Sequence, residues 1–114
     1  TMILLTEQIE DSLKQCFQKD IQIISKDKIL ISGKLILYKI IDYTITLTFQ
    51  IDNESKNIDI PYPFNIEKTV NGFSFIYTLN SLCDNDSNLL SIIQGISKKR
   101  DSRFYNSYVN FFIV

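Results

Sequence analysis

Residues 43–51 have the sequence YTITLTFQI, and this stretch decides the fold. Its odd-numbered positions carry Tyr, Ile, Leu, Phe and Ile, whereas its even-numbered positions carry Thr, Thr, Thr and Gln. Because successive side chains of a β-strand point to opposite faces, this alternation predicts a strand with one apolar face and one polar face. A strand with one solvated face is typical of an antiparallel sheet, since parallel strands are covered on both sides.

Other segments with strand character extend the predicted sheet on both sides of this strand. They are residues 21–24, 29–40, 58–60, 73–79 and 104–114. Gly33 interrupts the long segment 29–40 and predicts either a bulge or a close approach of another backbone. The prolines at 61 and 63 predict an extended crossing that cannot continue as a helix.

Two segments have helical periodicity instead. The first begins near Thr6, a candidate cap, and its apolar stripe consists of Leu5, Ile9, Leu13, Cys16 and Phe17. The second lies near residues 87–99, with a stripe formed by Leu89, Ile92, Ile93 and Ile96. We therefore predict a single α+β domain over residues 1–114. It has an N-terminal helix, an antiparallel sheet of about five to six strands in a meander, a second helix and a C-terminal strand.

The composition narrows the possible functions. The chain of 114 residues is 45% hydrophobic with a net charge of −1, which is typical of one folded domain. It contains no histidine, so a histidine general base and catalysis by Ser-His-Asp or Cys-His are excluded. Two cysteines alone cannot form a structural zinc site. We expect no metal and no cofactor.

The residue usage also bears on location and origin. Isoleucine occurs 20 times and alanine is absent, a bias typical of an AT-rich genome such as that of some viruses and bacteria. No apolar run reaches the roughly 18 residues that a membrane-spanning helix needs. The N-terminus also lacks the pattern of a secretory signal. We expect an intracellular, cytoplasmic protein that does not bind a membrane.

Cys83 is the one candidate nucleophile. It lies in a polar loop ahead of the second predicted helix, and a helix N-terminus can lower the pKa of a nearby thiol. The N-terminal helix, the strand meander, Tyr62-Pro63-Phe64, and Leu82-Cys83-Asp84 ahead of the apolar run 89–92 together resemble the layout of ubiquitin-conjugating-enzyme-like domains. The resemblance implies a thiol transferase that uses Cys83, although the His-Pro-Asn segment of that family is missing here.

One basic cluster adjoins aromatic residues near the end of the chain. It consists of Lys98, Lys99, Arg100 and Arg103, and Phe104 and Tyr105 follow it. Basic and aromatic side chains together can hold a single-stranded nucleic acid by phosphate contacts and base stacking. Because the sequence pI is about 5.3, nucleic acid is not the expected partner. A solvated helix end explains the cluster better.

The chain ends in an excess of aromatic residues. If Val109 and Phe111 pack on the core, strand periodicity turns Tyr108 and Phe112 to the opposite face. An exposed aromatic patch is typical of a partner surface, and a terminal strand at a sheet edge would also offer unpaired backbone groups. Phe104, Tyr105, Tyr108 and Phe112 are the predicted partner-binding residues.

The leading hypothesis is therefore a small non-enzymatic protein-interaction domain. Adaptors, inhibitors, immunity-type proteins and viral accessory proteins are examples of this class. It would bind a protein partner, or itself as a homodimer, through a sheet edge and the aromatic patch. The alternatives are the thiol transferase and, more weakly, single-stranded nucleic-acid binding through residues 98–105.

Overall fold

A computed structural model of the protein describes residues 2–78 and 106–114, with side chains for 4–78 and 108–114. The described chain contains one helix, α1 (Met2–Cys16). Its strands are β1 (Asp20–Ser25), β2 (Lys28–Ile41), β3 (Thr44–Ile51), β4 (Glu54–Pro61), β5 (Asn65–Thr69), β6 (Gly72–Thr78) and β7 (Asn106–Ile113). The predicted α+β class is confirmed. The second helix predicted near residues 87–99 lies outside the described residues.

All strands join one antiparallel sheet in the order β4-β3-β2-β1-β7-β6-β5. The sheet therefore has seven strands, more than the five to six predicted. Sequence analysis did not predict β5. Its residues, NIEKT, are largely polar because the strand lies exposed at a sheet edge. The expectation that the C-terminal strand forms an edge is wrong, because β7 pairs with β1 on one side and with β6 on the other.

Strand β3, which lies within the stretch 43–51, has the two faces that its alternation predicts. Ile45, Leu47 and Phe49 are fully buried on the side of the core. On the other side, the hydroxyl of Thr46 donates to Asp59 Oδ1 and that of Thr48 donates to Asn57 Oδ1, both at 2.8 Å. These cross-strand bonds tie β3 to β4 on the polar face.

Helix α1 buries most of its predicted apolar stripe in the same core, but Phe17 lies after the helix and is 40% exposed, so its place in the stripe was wrong. Ile9, Leu13 and Cys16 are fully buried together with the inward side chains of the strands. The helix begins at Met2, so Thr6 lies inside it and is not its cap. The Thr6 hydroxyl instead forms a hydrogen bond with the phenol of Tyr62.

Gly33 marks a close approach between two backbones. A Cβ at this position would lie 2.9 Å from the carbonyl oxygen of Gln50 on β3. The register shift between β2 and β3 falls further along, between Leu35 and Leu37. Of the two roles predicted for this glycine, the structure supports the close approach.

The link between β4 and β5 controls the shape of the sheet. These strands form opposite edges, yet only residues 62–64 connect them. Seven strands laid flat would separate the edges by roughly 29 Å, whereas the four steps from Pro61 to Asn65 span at most about 15 Å. The sheet must therefore curl until its two edges approach each other at this end.

Hydrogen bonds hold the crossing in place. The amide of Tyr62 donates to the carbonyl of Tyr43 on the β2–β3 loop, and the amide of Phe64 donates to the carbonyl of Ile76 on β6. The phenol of Tyr77, which is fully buried, donates to the carbonyl of Pro61 at 2.6 Å. The crossing thus joins one edge of the sheet to β6, beside the other edge.

We predict that Tyr77→Phe destabilises the protein by about 1–3 kcal/mol. The substitution keeps the ring but leaves the carbonyl of Pro61 without its phenol donor in a buried place. Chemical denaturation would measure the loss. The matched control is Tyr43→Phe, because the Tyr43 side chain is 61% exposed. Equal stability of the two variants would contradict a structural role for the Tyr77–Pro61 bond.

We also predict that Gly72→Ala costs about 3 kcal/mol or more. The added Cβ would lie 1.8 Å from the carbonyl oxygen of Phe111, so the backbones of β6 and β7 would have to separate. Thermal unfolding would show the shift in Tm. Val70→Ala is the control, since Val70 is 97% exposed in the adjoining turn and its truncation should be nearly neutral.

Candidate functional site

The candidate site lies on the outer face of the sheet, the face opposite α1. Along β7, Val109 and Phe111 are fully buried on the inner side, whereas Tyr108 is 44% exposed and Phe112 is partly exposed. The predicted division of the terminal strand into an inner and an outer set is therefore confirmed for these four residues. The inner set is fixed by ring packing, with the Phe111 ring centroid 4.4 Å from that of Phe73 and 4.7 Å from that of Phe75.

Neighbouring strands add apolar side chains to the outer face. Ile76 on β6 is the direct cross-strand partner of Tyr108. Ile24 on β1 is the partner of Asn110, which lies between Tyr108 and Phe112 along β7. Both isoleucines are partly exposed. We call this set of four residues, Ile24, Ile76, Tyr108 and Phe112, the outer patch.

A polar pair lies within the outer patch. The hydroxyl of Ser74 donates to Asn110 Oδ1 at 2.5 Å across the β6–β7 pair. Ser74 is only 5% exposed. Because the two side chains are bonded to each other, an apolar partner covering the patch would not strip this hydroxyl of its acceptor.

The edges of the sheet have a different character from the outer patch. The first four residues of β4, 54–57, are exposed. Strand β5 carries exposed Glu67 and Lys68. Charged side chains on short edge strands disfavour the addition of a further strand from another chain. Among the described residues, the outer patch therefore lies on the sheet face, whereas both edge strands carry exposed charged side chains.

The structure places only part of the predicted site. Tyr108 and Phe112 share the outer face, and the register brings Ile76 and Ile24 beside them. Sequence analysis did not identify these two isoleucines. It predicted the strands that carry them, but it could not predict that these strands lie next to β7. The other predicted residues, Cys83, Lys98, Lys99, Arg100, Arg103, Phe104 and Tyr105, lie outside the described residues.

Cys16 is the one cysteine in the described part of the chain, and its surroundings suppress its reactivity. Its side chain is fully buried in the core. Burial raises the pKa of the thiol from 9.0 to about 11, and the positive charge of Lys19 offsets only part of this rise. Because the thiolate is the reactive form, Cys16 is a packing residue at neutral pH.

Metal-binding and membrane-spanning features were sought in the same residues. Within 2–78 and 106–114, no three acidic or cysteine side chains come together as a metal site would require. Across that part of the chain, no helix combines the length and apolar character needed to cross a bilayer.

Comparison with known proteins gives no relative. The chain matches no protein-family model, no curated protein and no solved structure.

The burial of Cys16 predicts a loss of stability at alkaline pH. The folded thiol stays protonated up to about pH 11, whereas the unfolded thiol ionises near pH 9.0, so the unfolded state binds fewer protons between these values. The free energy of unfolding should therefore fall as pH rises from 9 to 11, by at most about 3 kcal/mol from this group. Denaturant unfolding across this range would measure the slope.

Two variants separate this contribution from other alkaline effects. Cys16→Ala should reduce the slope, although the buried phenol of Tyr77, whose pKa burial raises well above 10.0, will leave some slope. Val70→Ala, which removes no ionisable group, should leave the slope unchanged. An identical slope in both variants would show that Cys16 does not ionise differently in the folded and unfolded states.

Proposed function

We propose that the protein is a non-enzymatic protein-interaction domain that binds a protein partner, or a second copy of itself, through the outer patch. The observation that carries the proposal is the exposure of Tyr108, at 44%, on a sheet face that also presents Phe112, Ile76 and Ile24. Aromatic and aliphatic side chains grouped on a surface are typical of the centre of a protein interface.

The backbone beneath the patch favours this use. Strand β7 is hydrogen-bonded along both sides, to β1 and to β6. Its outward side chains therefore start from a fixed backbone, and binding does not have to order the main chain. A tyrosine on such a strand offers a large apolar ring and a hydroxyl with few rotatable bonds, which suits a central contact residue.

The proposal places binding on the face and not at an edge of the sheet. Strand addition would have to use β4 or β5, and both carry exposed charged residues. Binding on the sheet face uses side chains and does not require unpaired backbone groups of this chain. A partner with a complementary apolar surface, bordered by polar groups, fits the patch and its Ser74–Asn110 pair.

The test compares Tyr108→Ser with Ile41→Ser. Both replace an exposed apolar side chain by serine, but Ile41 lies at the end of β2 that β1 does not reach, away from the outer patch. Each variant and the native protein would be used for affinity capture from a lysate of the native host. Self-association would be followed by sedimentation velocity over a range of concentrations.

We expect Tyr108→Ser to weaken the captured complex, or the homodimer, by about tenfold or more, because truncating a central aromatic residue typically costs over 1 kcal/mol. Ile41→Ser should bind as the native protein does. Phe112→Ser provides a second reading of the same surface. A native protein that stays monomeric and captures no partner, or a complex indifferent to both patch substitutions, would refute the proposal.

A further inference from the structure

Asn71 and Gly72 form the only Asn-Gly pair in the sequence. Asn71 is the second residue of the two-residue turn between β5 and β6, and Gly72 is the first residue of β6. The turn is open to solvent, since Asn71 is exposed and Val70 beside it is 97% exposed. The pair thus places a side-chain amide next to a backbone nitrogen that no Cβ shields.

The side chain of Asn71 is held less firmly than those of other asparagines. Three described asparagines have side-chain oxygens that accept hydrogen bonds: Asn57, Asn65 and Asn110. The side chain of Asn71 forms no hydrogen bond with any residue that the structure describes. Its amide carbon, Cγ, can therefore turn toward the nitrogen of Gly72 without breaking such a bond.

The packing of the sheet requires glycine at position 72. A Cβ there would overlap the carbonyl oxygen of Phe111 on β7. The φ angle of Gly72 is not positive, so the requirement comes from this close approach and not from a left-handed backbone. No other residue can stand after Asn71 unless β6 and β7 separate, and the sheet therefore retains the Asn-Gly pair.

Gly72 must leave its pairing with Thr69 before its nitrogen can attack. These two residues form the last cross-strand pair of β5 and β6. Four of the five residues of β5 are exposed, and the strand lies at the edge of the sheet. A short, exposed hairpin end opens locally at a low cost in free energy. The attack therefore does not require the whole protein to unfold.

We propose that Asn71 is a site of spontaneous deamidation. The backbone nitrogen of Gly72 attacks Cγ of Asn71 and closes a five-membered succinimide ring. The Gly72 amide proton passes to solvent, and the side-chain nitrogen takes up a proton and leaves as ammonia. Water then opens the ring at either of its two carbonyls. The chain gains about 1 Da and one negative charge, with water as the only co-reactant.

The two carbonyls give different products. Opening at the side-chain carbonyl gives aspartate with an unchanged main chain. Opening at the main-chain carbonyl gives isoaspartate, in which the main chain runs through Cβ and Cγ and is longer by one carbon atom.

The isoaspartyl product disturbs the start of β6. The carbonyl oxygen of Asn71 accepts a hydrogen bond from the amide of Ile113 at 2.8 Å, and in this product it belongs to a carboxylate outside the main chain. Because Gly72 has no free space toward Phe111, the longer chain cannot be absorbed in place. The reaction does not depend on partner binding by the outer patch, and the two proposals can fail independently.

Asn53 provides an internal control. It is also the exposed second residue of a two-residue turn, between β3 and β4, but Glu54 follows it. The native protein would be incubated in mildly alkaline buffer, and peptide mapping by mass spectrometry would follow each asparagine while circular dichroism monitors the fold. We expect Asn71 to convert at least about tenfold faster than Asn53. Equal rates, or no mass gain at Asn71, would overturn the proposal.

Two variants test the role of the following glycine. Glu54→Gly places a glycine after Asn53 in the matched turn and should raise the conversion of Asn53 by about tenfold or more. Asn71→Ser should abolish the conversion in the β5–β6 turn and leave Asn53 unchanged. A conversion of Asn53 that stays slow in the Glu54→Gly protein would show that the following residue does not set the rate, which would contradict the proposed attack by Gly72.

A stability measurement separates the two products. The acidic species would be isolated by ion exchange, and its isoaspartyl content determined by enzymatic methylation. Asn71→Asp is the matched control, because it adds the same charge to an unchanged main chain. We expect the isoaspartyl protein to unfold at a lower denaturant concentration than Asn71→Asp, which should unfold near the native midpoint. Equal midpoints would refute the expected disturbance of β6.

Discussion

The shape of this protein depends on three residues, 62–64, which carry the chain from one edge of the sheet to the other. Seven strands would keep these edges far apart if the sheet were flat, so the crossing imposes strong curvature. The buried bond from the Tyr77 phenol to the carbonyl of Pro61 forms on the core side of the sheet. The two edges therefore approach each other around the core, and the inner face is concave.

The curvature explains why the two faces differ in exposure. On the concave inner face, side chains from β3, β6, β7 and α1 converge and bury one another, as the fully buried Phe49, Phe75 and Phe111 show. On the outer face, cross-strand neighbours such as Tyr108 and Ile76 diverge. Apolar residues there cannot cover each other completely, so Tyr108 keeps 44% of its surface exposed. The outer patch is thus a consequence of the same constraint that closes the core.

The sequence was sufficient for elements with strong periodicity and insufficient for their arrangement. The alternation in β3 and the stripe of α1 each reflect burial on one side, so residues such as Leu47 and Leu13 could be assigned to the core. Strand β5 has no such contrast, because an edge strand exposed to solvent can be polar on both faces. The place of β7 between β1 and β6 depends on pairing over long sequence distances, which no local pattern encodes.

The outer face itself is divided, and this division argues for where a partner would bind. Over β3 and β4, Thr46 and Thr48 are bonded to Asp59 and Asn57, so this half presents hydrogen-bonded polar groups that gain little from leaving water. Over β6 and β7, burial of Tyr108 and its apolar neighbours would release water from carbon surface, with the Ser74–Asn110 bond already formed. Covering this part of the face would therefore bury carbon surface without breaking a hydrogen bond, whereas the exposed Leu37 on β2 lies directly opposite the bonded Thr48.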